Sequence, residues 1–391
     1  MKVYLIAGEP SGDKLGGALM EGLRQLDPDV TFQGVGGPLM QAQGMTSLFS
    51  MDELSVMGLA EVLPKLRGLF KRRDETVEDI IGSGADVVVT IDSPDFCLRV
   101  LRKLRGFTQV PTVHYVAPSV WAWRTKRTDR MQGIVDHVLA LLPFEPQYME
   151  RAGLACDFVG HPVVAEPLAT GAAASDFRHI HNIGDAPLVL ALPGSRRGEV
   201  SRLSDVFGQS LQKLAMTRPE MRVVIPAAAP VAAMVQQQTQ GWPGDPIVLD
   251  PRGLSQEVAI AEKRAAFAAA DVALAASGTV SLELAANTVP MVIAYDMNWL
   301  SRKLIAAMLQ VDTVTLVNLV SDTRTVPEFL GDACKPDDIA RALDVALKPG
   351  PERAAQAAAA EITMELLGRG DEAPGLRAAR VVTRVATGSP V

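Results

Sequence analysis

Near its start the chain reads Val3-Tyr4-Leu5-Ile6-Ala7-Gly8-Glu9-Pro10-Ser11-Gly12-Asp13, and this stretch indicates the fold class. An apolar run of strand length ends directly in a short loop that carries two carboxylates, a hydroxyl and two glycines. Open α/β sheets bind ligands at the carboxyl ends of their strands, so we expect this loop at the functional edge of a parallel sheet. An ordinary tight turn between a strand and a helix is the alternative interpretation.

Apolar runs of strand length alternate with helical patterns along the rest of the chain, as is typical of βαβ units. The predicted strands of a first series are residues 3–7, 31–35, 86–91, 111–116, 137–142 and 156–159. Those of a second series are residues 187–192, 222–226, 246–249, 271–275 and 290–295. Two further helical patterns, at 352–367 and 373–387, follow the second series.

With 391 residues, the chain is longer than one hydrophobic core comfortably serves. The two series therefore predict an α/β protein with two Rossmann-like domains that face a cleft. We place the first domain at residues 1–170, a linker at 171–186 and the second domain at 187–350. Residues 351–391 are predicted to form C-terminal helices whose docking the sequence does not define.

The composition is that of a globular protein, with 48% hydrophobic and 21% charged residues. A net charge of -7 argues against a general nucleic-acid binder. Between Lys65 and Arg130, however, thirteen Lys or Arg residues stand against eight Asp or Glu, which suggests that this segment faces an anion.

Three scattered cysteines without a CxxC spacing favour a reducing compartment over a disulfide scaffold. The first apolar run is too short for a signal peptide, and no run reaches the roughly 20 apolar residues of a membrane-spanning helix. We therefore expect a cytoplasmic protein.

A nucleotide site is predicted in the second domain, where Ser277, Gly278 and Thr279 separate a strand from a helix. Small residues at such a turn let backbone amides approach a phosphate. Glu283 follows on the first turns of that helix, within reach of ribose hydroxyls. Arg196, at another strand end, could clamp a diphosphate with its guanidinium. Simple helix capping by the serine or threonine is the alternative for the turn.

Several other nucleotide sites are excluded by their motifs. Neither domain opens with the GxGxxG fingerprint of dinucleotide-binding proteins, and the chain has no Walker A motif. The Arg196 guanidinium and the Ser277–Thr279 turn together predict a nucleoside diphosphate as the ligand.

A candidate general base follows the third predicted strand, in the run Asp92-Ser93-Pro94-Asp95-Phe96. A strand that delivers Asp92 to the functional edge supplies what deprotonation of a sugar hydroxyl needs. Because this DxxD pattern is not a metal-binding DxD, we expect no obligatory metal. Helix capping by Asp92, with Asp95 in the first turn, is an equally good local interpretation.

Residues 54–73 combine an apolar stripe with basic side chains, as in segments that lie on a membrane surface. Core packing explains the stripe equally well, but Gly58, Pro64 and Gly68 weaken a plain core helix and favour an exposed segment. The candidate contacts with membrane or acyl chains are Val56, Met57, Leu59, Val62, Leu63, Leu66, Leu69, Phe70, Lys71, Arg72 and Arg73.

Taken together, the motifs resemble those of the bacterial lipid-A-disaccharide synthase family from end to end of the chain. The motifs that carry the resemblance are Ala7–Asp13, Ile91–Phe96, Tyr115–Arg124, Val159–Pro162, Leu192–Arg196, Ala276–Thr279 with Glu283, and Asn318 ahead of Pro327–Phe329. Each is short, but their order and spacing together are highly specific.

The resemblance implies a GT-B glycosyltransferase, without metal or other cofactor, that inverts the anomeric centre. Its substrates would be UDP-2,3-diacylglucosamine and 2,3-diacylglucosamine 1-phosphate. Its products would be UDP and the β-1,6-linked disaccharide 1-phosphate from which lipid A is made. The second domain would bind the donor and the first the acceptor. Because both substrates carry acyl chains, peripheral association with the cytoplasmic face of the inner membrane is expected. The sequence leaves open whether the chain forms a homo-oligomer.

The resemblance and the residues then agree on individual roles. Asp92 is the expected base, and the donor would be held by Arg196, Ser277, Gly278, Thr279, Glu283 and Asn318. The acceptor side would be lined by Glu9, Ser11 and Asp13. Another GT-B enzyme of UDP-sugars, either an epimerase or a transferase to a different lipid, is the alternative. A lipid carrier without turnover is a more remote one.

Overall fold

The computed structural model describes residues 1–54, 59–120, 125–296 and 311–388. The chain divides into two compact units, of which the first comprises Met1–Ala165 with Leu367–Val391 and the second Glu166–Leu366. Each unit is built on one six-stranded sheet in which all described strand pairs are parallel. The predicted α/β class with two parallel sheets is therefore confirmed.

The first sheet has the strand order β2-β1-β3-β4-β5-β6. Its strands are β1 Lys2–Ala7, β2 Thr31–Val35, β3 Val87–Ile91, β4 Thr112–Tyr115, β5 His137–Ala140 and β6 Ala155–Phe158. All six were predicted from the apolar runs. The strand order changes direction beside β1, so the loops after β1 and β3 lie next to each other at the carboxyl edge.

Helices cover both faces of this sheet. They are α1 Pro10–Leu26, α2 Pro38–Ala42, α3 Leu59–Ser83, α4 Pro94–Leu104, α5 Pro146–Arg151 and, from the end of the chain, α14 Pro374–Thr387. On β1, Val3 and Leu5 point into the core beneath α1 and α14, whereas Tyr4 and Ile6 point into the core beneath α3 and α4. Burial on both faces explains why this strand is continuously apolar rather than alternating.

The last helix, α14, returns to the first unit and crosses α1 at very short range. A Cβ atom on Gly22 would lie 2.6 Å from the carbonyl oxygen of Gly375, and one on Gly375 would lie 2.5 Å from that of Ala18. Glycine at both positions is therefore what lets the two backbones meet, and this docking could not be read from helical periodicity.

The second sheet has the strand order β12-β11-β10-β7-β8-β9. Its strands are β7 Leu188–Leu192, β8 Arg222–Pro226, β9 Ile247–Leu249, β10 Val272–Ala275, β11 Met291–Tyr295 and β12 Glu328–Leu330. The first five were predicted. The edge strand β12 was missed because it is only 3 residues long and half-buried, so it has no apolar run of its own.

The described helices of the second unit are α6 Gly171–Ile180, α7 Arg197–Ala215, α8 Ala232–Gln238, α9 Gln256–Ala269, α10 Val280–Ala286, α11 Leu316–Ser321, α12 Pro336–Leu347 and α13 Pro351–Leu366. Helix α6 lies within the segment interpreted as a linker, where Thr170 caps it by accepting a hydrogen bond from the Ala173 amide at 3.2 Å. It packs on α9 and buries Phe177. Over the described part of the chain, no helix combines the length and apolarity needed to cross a bilayer.

Candidate active site

The second unit contains a pocket of about 810 Å³ at the carboxyl edge of its sheet. Five of the predicted donor residues line it, namely Arg196, Ser277, Gly278, Thr279 and Glu283. They come from the loops after β7 and β10 and from the first turn of α10, and the two strands are hydrogen-bonded neighbours in the sheet. Strand order thus brings together residues that are more than 80 positions apart in the chain.

The loop after β7 is held by a residue that the sequence motifs did not single out. Glu199 accepts hydrogen bonds from the backbone amides of Ser195 at 3.1 Å and Arg196 at 3.3 Å. Gly194 has a φ of 121°, and a Cβ atom there would lie 2.5 Å from the Cβ of Glu199. A glutamate at the third position of a helix is the recognisable signal of such capping.

This capping leaves the Arg196 guanidinium available to a ligand. Its side chain is 64% exposed and lies 3.4 Å from Glu199, a long contact for an ion pair. A weakly paired guanidinium beside a helix amino terminus suits an anion, because both contribute positive potential.

The turn after β10 lines the pocket with small residues. Gly278 is exposed and has a φ of 156°. Ser281, in the first turn of α10, donates its hydroxyl hydrogen bond back to the Gly278 carbonyl at 2.9 Å. With side chains this small, a phosphate can approach the backbone closely.

Glu283 is paired with a lysine that the sequence motifs did not reveal. Lys263, on α9, places its Nζ 2.5 Å from Glu283 Oε2 and 5.2 Å from the centroid of the Phe267 ring. The charged residues that line the pocket are Arg196, Lys263, Glu199, Glu262 and Glu283. Since carboxylates outnumber cations, the lysine is needed to offset negative charge where a diphosphate would bind.

Asn318 does not line the pocket and is almost fully buried. Its amide donates to Thr313 Oγ1 at 3.2 Å and to the Val326 carbonyl at 3.0 Å, and its Oδ1 accepts from the Val326 amide at 3.0 Å. The amide group is thus used to hold the loop after α11. These hydrogen bonds give Asn318 a structural role, and its part in positioning the donor stays a prediction.

In the first unit, Asp92 lies half-buried at the carboxyl end of β3. Its Oδ1 accepts from the Ser93 amide at 2.9 Å and its Oδ2 from the Ser11 hydroxyl at 3.4 Å. Each carboxylate oxygen therefore has a donor, which restricts rotation of the group. The N-cap of α4 is Ser93, so the alternative in which Asp92 caps this helix is wrong, whereas Asp95 does lie in its first turn.

The backbone around Asp92 is strained. Asp92 and Ser93 have φ values of 52° and 42°, and Val116, at the end of the adjacent strand β4, has a φ of 85°. Such left-handed conformations cost about 1–3 kcal/mol each and cluster at functional sites. The strain is a signal of function that no motif in the sequence displays.

Ser93 and Gly8 pack against each other beside this carboxylate. The Ser93 hydroxyl is buried and has no hydrogen-bond partner among the described residues. A Cβ atom on Gly8 would lie 2.6 Å from it, so this position accommodates only glycine without displacement of the serine.

The three predicted acceptor-side residues differ in their contacts and burial. Ser11 reaches Asp92, and Glu9 is the half-buried N-cap residue of α1. Asp13 is only 3% exposed, and its carboxylate accepts from the backbone amides of Gly37, Leu39 and Met40 at 2.9, 2.9 and 3.0 Å. Asp13 therefore caps α2 and holds its loop, and its place on the acceptor side stays a prediction.

The basic residues of the predicted membrane segment are largely neutralised within the unit. Arg72 pairs with Glu53 and Glu75, each at 2.7 Å. The remaining described pairs are Arg73 with Asp74 at 2.5 Å and Lys71 with Glu75 at 3.6 Å. The charges of Lys71, Arg72 and Arg73 are therefore partly offset by carboxylates of the same unit.

The apolar part of the segment is described only in part. Leu69 packs against the core, whereas Phe70 is 40% exposed. Val56 and Met57 lie outside the described residues, as do the side chains of Leu59, Val62, Leu63 and Leu66. Residues 121–124 of the quoted Tyr115–Arg124 motif also lie outside them.

Comparison with known protein families points to one activity. The sequence model of a family described as lipid-A-disaccharide synthetase matches residues 3–373. The lipid-A-disaccharide synthase of Ruegeria pomeroyi is 60% identical over 382 residues, covering 98% of this chain and 94% of that protein. The synthase of Rhodospirillum centenum is 46% identical over 391 residues, with coverages of 98% and 94%.

Solved structures with the same fold include enzymes of UDP-sugars. A putative UDP-N-acetylglucosamine 2-epimerase from Listeria monocytogenes superposes with a TM-score of 0.63 at 13% identity, covering 99% of this chain and 96% of that one. The UDP-GlcNAc 2-epimerase from Neisseria meningitidis bound to UDP-GlcNAc gives a TM-score of 0.59 at 13% identity, with coverages of 93% and 99%. Identities this low show a shared fold alone, and that fold is the predicted GT-B class.

Proposed function

Because this chain belongs to the lipid-A-disaccharide synthetase family, we propose that it joins UDP-2,3-diacylglucosamine to 2,3-diacylglucosamine 1-phosphate. It is a glycosyltransferase of lipid A biosynthesis. Binding of the UDP-sugar donor is supported most directly by one pocket at the edge of the second sheet. Its lining includes Arg196, Ser277–Thr279 and Glu283.

The second unit holds the UDP part of the donor in this proposal. Arg196 binds the diphosphate through its guanidinium, which favours bidentate contact with phosphate oxygens. The small residues of the turn after β10 let backbone amides approach the same group. Glu283, oriented by Lys263 at 2.5 Å, accepts hydrogen bonds from the ribose hydroxyls. As UDP leaves, Arg196 stabilises its developing negative charge.

Asp92 of the first unit is the proposed general base. The acceptor 6-hydroxyl oxygen attacks the anomeric carbon of the donor, the bond from that carbon to the UDP oxygen breaks, and the hydroxyl proton passes to Asp92. Attack opposite the leaving group inverts the anomeric centre and yields the β-1,6 linkage. A positioned base contributes about 10²- to 10⁴-fold to such a rate.

We also propose that the 56–73 segment contacts the surface of the inner membrane peripherally. The support is narrower than the sequence suggested and consists of exposed Phe70 and Lys71, which is 75% exposed. An exposed aromatic ring with an adjacent cation is a typical interfacial pair. Flotation with anionic liposomes tests this contact, with Phe70→Ser as the variant and Ile81→Ser, exposed near the other end of α3, as the control. Equal flotation of wild type and Phe70→Ser would refute it.

The activity itself is tested with purified protein and both acylated sugars. The proposal predicts one disaccharide per UDP released and no release without the acylated acceptor. Interconversion of UDP-N-acetylglucosamine with its 2-epimer would instead identify an epimerase. The similar proteins from Ruegeria pomeroyi and Rhodospirillum centenum are synthases, which argues against this outcome.

A further inference from the structure

One aromatic ring on the surface of the first unit is flanked by two guanidinium groups. The centroid of Phe70, on α3, lies 5.0 Å from Cζ of Arg73 and 5.8 Å from Cζ of Arg99 on the neighbouring helix α4. Guanidinium groups at this range are attracted to the ring face and are held in place by it. Phe70 thus restrains the long side chain of Arg99, which would otherwise sample many rotamers.

Arg99 differs from the surrounding cations in its pairing. Lys71, Arg72 and Arg73 each have a carboxylate partner, and Lys103 pairs with Asp74 at 2.7 Å. Among the described residues, Arg99 has the ring contact and no carboxylate within 4.0 Å, not even Asp95 one turn earlier. Its charge is therefore available to a ligand, and a guanidinium can donate two parallel hydrogen bonds to a phosphate.

The position of Arg99 relates it to the proposed base. Helix α4 begins at Pro94, two residues after Asp92. Arg99 is six residues beyond the N-cap Ser93, which is about 9 Å along the helix at 1.5 Å per residue. Long side chains on a helix tilt toward its amino terminus, so the Arg99 guanidinium extends back toward the loop that carries Asp92. A hexose that presents its 6-hydroxyl to Asp92 carries its 1-substituent on the far side of the same ring.

We propose that Arg99, held by Phe70, binds the phosphate of the acceptor sugar. This inference rests on the proposed function, which supplies an acceptor with a phosphomonoester. Such a group carries about 1.5 to 2 negative charges at pH 7, enough to select a guanidinium that has no internal counter-charge. The site makes Arg99 a specificity residue for phosphorylated over dephosphorylated acceptor.

The test compares kcat/KM for the acceptor with and without its 1-phosphate, in neutral detergent micelles. Wild type should prefer the phosphorylated acceptor by about 10-fold or more, the factor that corresponds to one charge-assisted contact. R99Q should lose most of that preference, and R99K should keep part of it. The matched control is R102Q, because Arg102 is exposed on the same helix and donates to the Arg130 carbonyl at 3.1 Å.

The outcomes separate three explanations. Turnover by R99Q with the wild-type preference would overturn the inference and leave the proposed function intact. If R99Q instead lowers flotation with anionic vesicles while the preference is unchanged, the anion is a lipid headgroup, and the inference is again wrong. Absence of disaccharide from wild type with either acceptor would overturn the proposed function and this inference with it.

Discussion

Lys263 Nζ lies 2.5 Å from Glu283 Oε2, and the two side chains form an ion pair on the lining of the pocket in the second unit. The pair joins α9 to α10, so it orients the carboxylate as well as offsetting its charge. Removal of the lysine would leave Glu283 to repel a diphosphate and free to rotate.

We therefore expect Lys263→Met to weaken UDP binding by about 2- to 5-fold, a modest effect because both side chains are partly exposed and screened. Isothermal titration with UDP measures it. Lys213→Met is the matched control, since Lys213 forms a similar pair with Asp337 at 2.6 Å in the same unit but does not line the pocket. Equal affinity of Lys263→Met and wild type would refute this role for the pair.

Gly8→Ala should slow turnover without weakening UDP binding. The new Cβ would lie 2.6 Å from the Ser93 hydroxyl and would displace the residue whose amide holds Asp92. A shift of about 1 Å in a catalytic group can cost on the order of 10²-fold in rate. The measurement is kcat alongside the affinity for UDP.

The double variant Gly8→Ala/Ser93→Ala provides the internal control. Ser93→Ala removes a hydroxyl that has no partner among the described residues, and it relieves the closest contact of the new methyl group. It should keep most activity alone and restore part of it in the double variant. A double variant no faster than Gly8→Ala would contradict this packing relationship.

Asp13→Ala should destabilise the first unit. Three backbone amides, of Gly37, Leu39 and Met40, would lose their buried acceptor, and each unsatisfied donor costs about 1–3 kcal/mol before relaxation. Urea unfolding followed by circular dichroism measures the loss, with exposed Asp29→Ala as the control. Unchanged stability together with a raised KM for the acceptor would return Asp13 to the acceptor site.

His114 predicts a pH dependence of stability. Burial lowers the pKa of His114 from 6.5 to about 4, and its Nδ1 lies 2.8 Å from Thr90 Oγ1. Between pH 6.5 and about pH 4, His114 binds a proton in the unfolded chain but stays neutral in the folded protein. The free energy of unfolding therefore falls progressively as the pH is lowered over this range. The effect reaches roughly 3 kcal/mol at 1.36 kcal/mol per pH unit.

Urea midpoints measured between pH 7 and pH 4 isolate this contribution by comparing wild type with His114→Gln. Wild type should lose more stability over that range, because the carboxylates titrate equally in both proteins. Parallel pH profiles would show that the buried imidazole does not cause the slope.

Periodicity and composition were enough to predict eleven of the twelve described strands, because a parallel strand buried on both faces is continuously apolar. Five donor-side residues were also predicted correctly as neighbours, since strand ends and small-residue turns mark the functional edge of a parallel sheet. What sequence patterns miss is the identity of the partner of a polar group. Asp13 and Asn318 have the composition of site residues, yet both carry backbone hydrogen bonds inside the fold.

Sequence patterns also overlook site residues that belong to no recognisable motif. Lys263 and Glu199 become relevant only when β7 and β10 pair and bring α9 and α10 together. Likewise, the left-handed backbone at Asp92, Ser93 and Val116 depends on how two strands end, which is set by tertiary packing rather than by local preference.

The role of Asp92 as the base is tested most directly by disaccharide formation from the two acylated sugars by Asp92→Asn, with Asp95→Asn, exposed on α4, as the matched control. We predict that Asp92→Asn loses about 10²- to 10⁴-fold in kcat while its affinity for UDP stays at the wild-type value. Asp95→Asn should remain close to wild type in both measurements. Turnover by Asp92→Asn within about twofold of wild type would contradict the assignment of Asp92 as the base.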